Sequence, residues 1–204
     1  MKQKGLFGLL LATAIIYVLY AFVDCFYKLG ILLVGDAYYD RMAVENVLGT
    51  STKFMHWFYA IVLLAACVLF MIYNGKKALA LIGGIAMIVQ SIISLAWSTA
   101  VPMLIRSYHF DIVFDYGPWI GGANGLIYSI AIIMIALYYK DPLMEALAAI
   151  VTFCQIGVFP LLNIFAKYRV LEGSEYGTAN LVVVIPMCIL VIVYLFKWAK
   201  MSKN

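Results

Sequence analysis

The sequence predicts an all-α membrane protein: one polytopic bundle of about six transmembrane helices. Two observations carry this. Apolar residues make up 66% of the chain and charged ones only 12%, too few to coat a water-soluble domain, whereas lipid needs no polar coat. The charges also fall in clusters between long apolar runs instead of spreading along helical faces, so each cluster marks a turn at a bilayer surface.

Six runs reach spanning length, since about 20 residues at roughly 1.5 Å rise cover a hydrocarbon core of about 30 Å. They are 5–23, 54–73, 78–100, 119–139, 143–166 and 177–196. Apolar character resumes at 29–34 after Asp24 and Lys28, which fits either one long tilted helix or a break near Gly30; the break is expected. Nothing outside the runs is large enough to bury a core of its own, so residues 1–204 form one membrane domain. Lys2 and Lys4 precede the first run as in a signal peptide. The run is as long as a span and no small-x-small site closes it, so a retained helix is expected.

Between the first two runs, 36–48 reads as a short amphipathic helix in an outer connection. Asp36 serves as its N-cap, Met42, Val47 and Leu48 line its apolar side, and Gly49 stops it. The connection 101–118 is rich in aromatics, carries Arg106, His109, Asp111 and Asp115, and has the length to fold over the bundle as a lid. The short connections carry Lys76, Lys77 and Lys140; grouped with Lys2, Lys4, Lys197, Lys200 and Lys203 they place both termini in the cytoplasm. The net charge of +4 is then accounted for by the cytoplasmic face and anionic lipid, and nucleic acid is not implied.

Helix packing is easier to read than chemistry. Gly117, Gly121, Gly125 and Ser129 recur every fourth residue, a small-residue strip on which another backbone can pack, from this chain, a second copy or a partner membrane protein. Gly83 and Gly84 with Ser91, Ser94 and Ser98 give the third span a similar small, polar face. Cys67, Cys154 and Cys188 lie within spans, Cys25 stands alone near a surface, and no C-x-x-C occurs, so no disulfide or zinc framework is expected.

Polar groups that lipid should exclude point to a candidate site. Tyr17, Tyr20 and Asp24 share a face of the first helix with Thr13, and His56 sits at the outer end of the second span. Gln90 and Gln155 lie near the middle of the third and fifth spans, and Asn124 and Asn163 in the outer halves of theirs. These eight residues, Tyr17, Tyr20, Asp24, His56, Gln90, Asn124, Gln155 and Asn163, are the expected lining of an outward-facing cavity; the plainer reading is interhelical hydrogen bonding. His109 and Asp111, with Asp115 and His56, are a remote metal candidate that lacks H-E-x-x-H spacing. No metal is predicted, the sequence names no cofactor, and nucleophile-elbow and phosphate-loop motifs are missing.

Gly35-Asp36-Ala37 followed by Asn46, and Tyr116-Gly117 leading into a glycine-rich span that ends before Lys140-Asp141-Pro142, resemble a family of small six-helix bacterial membrane proteins to which no activity is attached. The chain departs from that pattern around Leu143 and Met144, where an arginine is expected. The resemblance implies the six-helix architecture and a bacterial cytoplasmic membrane, and it brings no functional residues. Three functional classes therefore remain open. The first, preferred, is a non-enzymatic protein that binds a small amphiphilic ligand or passes a solute. The others are an accessory or scaffold subunit and a membrane enzyme acting on lipid through His56 and His109.

Overall fold

The computed structural model describes residues 3–35, 38–107, 110–167 and 173–203, and within these every element is helical. The helices are α1 (Gln3–Val34), α2 (Tyr38–Val44), α3 (Thr50–Asn74), α4 (Ala78–Arg106), α5 (Phe110–Tyr139), α6 (Pro142–Phe153), α7 (Phe159–Lys167) and α8 (Gly173–Met201). Two π-helical turns, Glu45–Gly49 and Cys154–Val158, join α2 to α3 and α6 to α7 without a gap. Six stretches are long and apolar enough to cross a membrane, and they match the six apolar runs of the sequence. The chain is consistent with a multi-pass membrane protein.

The spans close into a ring. Helix α1 packs on α3 and α8, α3 on α4, α4 on α5, α5 on α6, and α6 on α8. Small and aromatic side chains fill its interior, among them Ala14, Ala66, Cys67, Phe70, Ala131, Ala148 and Trp198. Across the ring the Tyr194 hydroxyl donates to the Ile132 carbonyl at 2.7 Å, tying α8 to α5. At the lysine-rich end Asp141 caps α6, accepting from the Met144 amide at 3.1 Å, and pairs with Lys197 of α8 at 2.9 Å. Both partners hold its carboxyl below the ordinary carboxylate range, the Lys197 contact being the larger cause.

Several sequence expectations are corrected. Helix α1 does not break at Gly30; it runs 32 residues, about 48 Å at helical rise, and ends where Gly35 adopts φ +59° and its amide bonds the Ile31 carbonyl at 3.1 Å. Gly30 has a packing role, since a Cβ there would lie 3.1 Å from Val44 Cγ1. Gly49 is not a stop either. It is helical (φ −62°, ψ −39°) and buried, and a Cβ on it would meet the Tyr27 ring at 3.3 Å. Met42 and Val47 of the expected apolar side face away from the rest of the chain, and Asp36, the expected N-cap, lies outside the described residues. The lid is not formed as a loop, because α4 continues to Arg106 and α5 begins at Phe110. The fifth span is not one regular helix, since the turn Cys154–Val158 inserts π geometry ahead of Pro160.

Candidate functional site

Helical phase brings part of the expected set together at the end of the ring opposite the Asp141–Lys197 pair. Tyr17 and Tyr20 of α1 meet Tyr59 of α3 with centroids 5.0 and 6.2 Å apart, the second pair stacked within 8°. Tyr20 also lies 5.5 Å from the His56 ring. Asp24, one turn further along α1, is 8% exposed and pairs with Lys28 at 2.6 Å, so the carboxylate reaches this level already neutralised by a cation on its own helix. The Tyr17 hydroxyl points the other way, to Cys188 Sγ of α8 at 3.9 Å.

From His56 the polar chain continues into α4. His56 Nε2 and Ser94 Oγ are 3.0 Å apart, and one turn on Trp57 Nε1 donates to Ser98 Oγ at 3.3 Å, so two rungs lock α3 to α4. Ser91 and Ser98 also bond within their own helix. Ser91 donates to the Met87 carbonyl at 2.9 Å and Ser98 to the Leu95 carbonyl at 3.0 Å, the usual back-bonding of a hydroxyl in an apolar helix.

Ser94 and Ser98 form one wall of a cavity of about 140 Å³ between α4 and α5, half open on one side. Ile93, Trp97 and Ile120 make it apolar, Gly121 leaves room at its mouth, and Asn124 borders it. Asn124 Oδ1 is buried and meets no hydrogen-bond partner among the described residues. An orphan amide oxygen in apolar surroundings is costly, and Asn124 is the cavity-lining residue that carries one.

Of the eight residues expected to line a cavity, only Asn124 lines this one. His56 reaches it through Ser94. Gln90 lies one helical turn before Ser94 on α4. Gln155 packs on α5 one turn beyond Gly121, its Oε1 3.3 Å from where a Cβ on Gly125 would sit and its Nε2 donating to Met187 Sδ at 3.6 Å. Asn163 is exposed on α7. The small-residue strip divides: Gly117 faces Trp97, Gly121 opens on the cavity, and Gly125 and Ser129 are buried within the chain. His109 lies outside the described residues and Asp111 in the first turn of α5; among the described residues no three His, Cys, Asp or Glu side chains gather as a metal site.

No family model, curated protein or solved structure matches the chain. Ser94, Trp97 and Ser98 line the cavity without having been expected there, although the spacing of Ser91, Ser94 and Ser98 marked that face of α4 as polar, and Gly121 was expected only as a packing residue.

Proposed function

We propose that this is a membrane protein that binds a small amphiphilic ligand in the α4–α5 cavity. The observation that carries the reading is the unpartnered Asn124 Oδ1 beside an otherwise apolar wall of Ile93, Trp97 and Ile120. Such a site selects a molecule with one hydrogen-bond donor on a compact apolar body, and about 140 Å³ is close to the roughly 150 Å³ that takes benzene. The test is a ¹⁹F NMR titration of the solubilised protein with 4-fluorobenzyl alcohol and with 4-fluorotoluene, which lacks the donor. The wild type should bind the alcohol more tightly by about fivefold, the worth of roughly 1 kcal/mol for one hydrogen bond, and Asn124→Leu should lose that preference. Absence of saturable binding, or an unchanged preference in Asn124→Leu, overturns it.

We further propose that the cavity lies at the outer end of a bacterial cytoplasmic membrane protein, with both termini cytoplasmic. Lys76, Lys77, Lys140, Lys197, Lys200 and Lys203 gather at the other end, which supports this orientation. Trp57 (42% exposed) and Trp119 (79% exposed) at the cavity end fit an interfacial aromatic belt. The segment Tyr38–Gly49 would then lie at the outer surface.

A further inference from the structure

The His56–Ser94 contact has the geometry of an activated nucleophile. A hydroxyl within 2.6–3.2 Å of an imidazole nitrogen is the arrangement in which the base can take the proton as the oxygen attacks, and here the separation is 3.0 Å. Three observations distinguish it from an ordinary interhelical bond. The Ser94 hydroxyl contacts His56 of α3, whereas the Ser91 and Ser98 hydroxyls donate to carbonyls of their own helix, Ser98 while also accepting from Trp57 of α3. Ser94 also borders the cavity, so its oxygen has His56 on one side and space for a substrate on the other. Asn124, on the same cavity, carries amide N–H donors of the kind that stabilise a developing oxyanion.

Depth favours a substrate from the membrane. Ser94 lies 16 residues after Ala78 on α4, about 24 Å along the axis, which is about one turn short of the far side of a 30 Å hydrocarbon core. Ester-bearing amphiphiles concentrate near that boundary.

We propose that Ser94 and His56 are the nucleophile and general base of an acyl-transfer site for small carboxylic esters that enter the α4–α5 cavity from the membrane. The idea rests on the cavity being a ligand site and adds a reaction to it. Ser94 Oγ forms a bond to the ester carbonyl carbon while its proton passes to His56 Nε2. The tetrahedral intermediate collapses with cleavage of the carbon–oxygen bond to the leaving alkoxide, which takes the proton from His56 and departs as an alcohol. Water, or a second alcohol, then attacks acyl-Ser94 by the same route in reverse, releasing the acyl group and restoring the serine hydroxyl. No electrons change hands.

The test is labelling of the solubilised full chain with a short alkyl fluorophosphonate, read by intact mass and by peptide mapping. Attack by Ser94 expels fluoride and leaves a stable phosphonyl serine. One adduct on Ser94 is expected, absent in Ser94→Ala and formed at least 100-fold more slowly in His56→Gln, which keeps a hydrogen-bond acceptor for Ser94 but not the base. No adduct in the wild type, an adduct that persists in Ser94→Ala, or labelling indifferent to His56→Gln overturns the proposal. A 4-fluorobenzyl alcohol titration of the same preparation separates the two failures: saturable binding without an adduct leaves the cavity a ligand site and removes the reaction, whereas loss of both removes both.

Discussion

Gln155 fills the notch that Gly125 leaves on α5: its side-chain oxygen stands 3.3 Å from the position a Cβ on Gly125 would take. The glycine is therefore matched to a side chain of the same chain, and the π-helical turn Cys154–Val158 is the element that delivers Gln155 to it. This separates the two central glycines of the small-residue strip, because a Cβ on Gly121 meets nothing within 4 Å.

Substitutions at these positions should diverge. Gly125→Leu drives several atoms into Gln155 and should cost about 1–3 kcal/mol, the usual range for overpacking, read as a lower midpoint in thermal unfolding of the solubilised protein. Gly121→Leu should leave that midpoint nearly unchanged while closing the cavity mouth and weakening 4-fluorobenzyl alcohol binding. Equal destabilisation by both would show that Gly121 is packed against something in the folded protein.

Gly30 gives the second prediction. Because α1 is unbroken there, Gly30→Ala removes a helix-interior glycine worth about 1 kcal/mol of propensity, but the new methyl sits 3.1 Å from Val44 Cγ1. Alone, the substitution should change stability little. Combined with Val44→Ala, which vacates the contact, it should be more favourable than in the wild-type background, and a double-mutant cycle of unfolding free energies measures the difference. Additive effects would mean that α2 does not rest on α1 at this point.

These positions also show how much the sequence disclosed. The spans were legible because lipid demands a continuous apolar run, and no tertiary contact is needed to see one; 119–139 coincides with the observed span Trp119–Tyr139. Gly30 and Gly49 misled because a glycine permits both a break and a close approach, and only the neighbour, Val44 in one case and Tyr27 in the other, decides between them. Asn163 was expected to line the cavity because an amide facing lipid is costly. The π-helical turn ahead of it adds to the residues per turn and shifts the helical phase, and Asn163 emerges exposed. The His56–Ser94 pair lay 38 residues apart in sequence, so its members could be seen as polar but not as partners.

Tyr194 supplies a prediction about the ring itself. Its hydroxyl is buried and bonds the Ile132 carbonyl across the interior at 2.7 Å. Tyr194→Phe keeps the ring packing and removes only that bond, so a loss of about 1 kcal/mol or less is expected in denaturant unfolding, in line with interhelical bonds in membrane bundles. A loss several times larger would mean that the hydroxyl organises more of the interior than this one bond.

The pH dependence of the lysine-rich end follows from Asp141. Its carboxyl is held below the ordinary range by Lys197 first and by the Met144 amide second. A depressed folded-state value means that the carboxylate's contribution is fully present above the unfolded value, near 4, and is lost as pH falls through the lower folded value. Asp141→Ala should therefore lower the thermal midpoint at pH 7, and the gap to the wild type should narrow below about pH 4, where the wild-type carboxyl is itself taking up a proton. Asp141→Asn retains an acceptor for the Met144 amide and loses only the charge, so its deficit at pH 7 should be the smaller of the two, and high salt should shrink the difference between wild type and Asn. A gap between wild type and Asp141→Ala that stays constant down to pH 2 would assign the stabilisation to packing at the α5–α6 turn and not to the carboxylate.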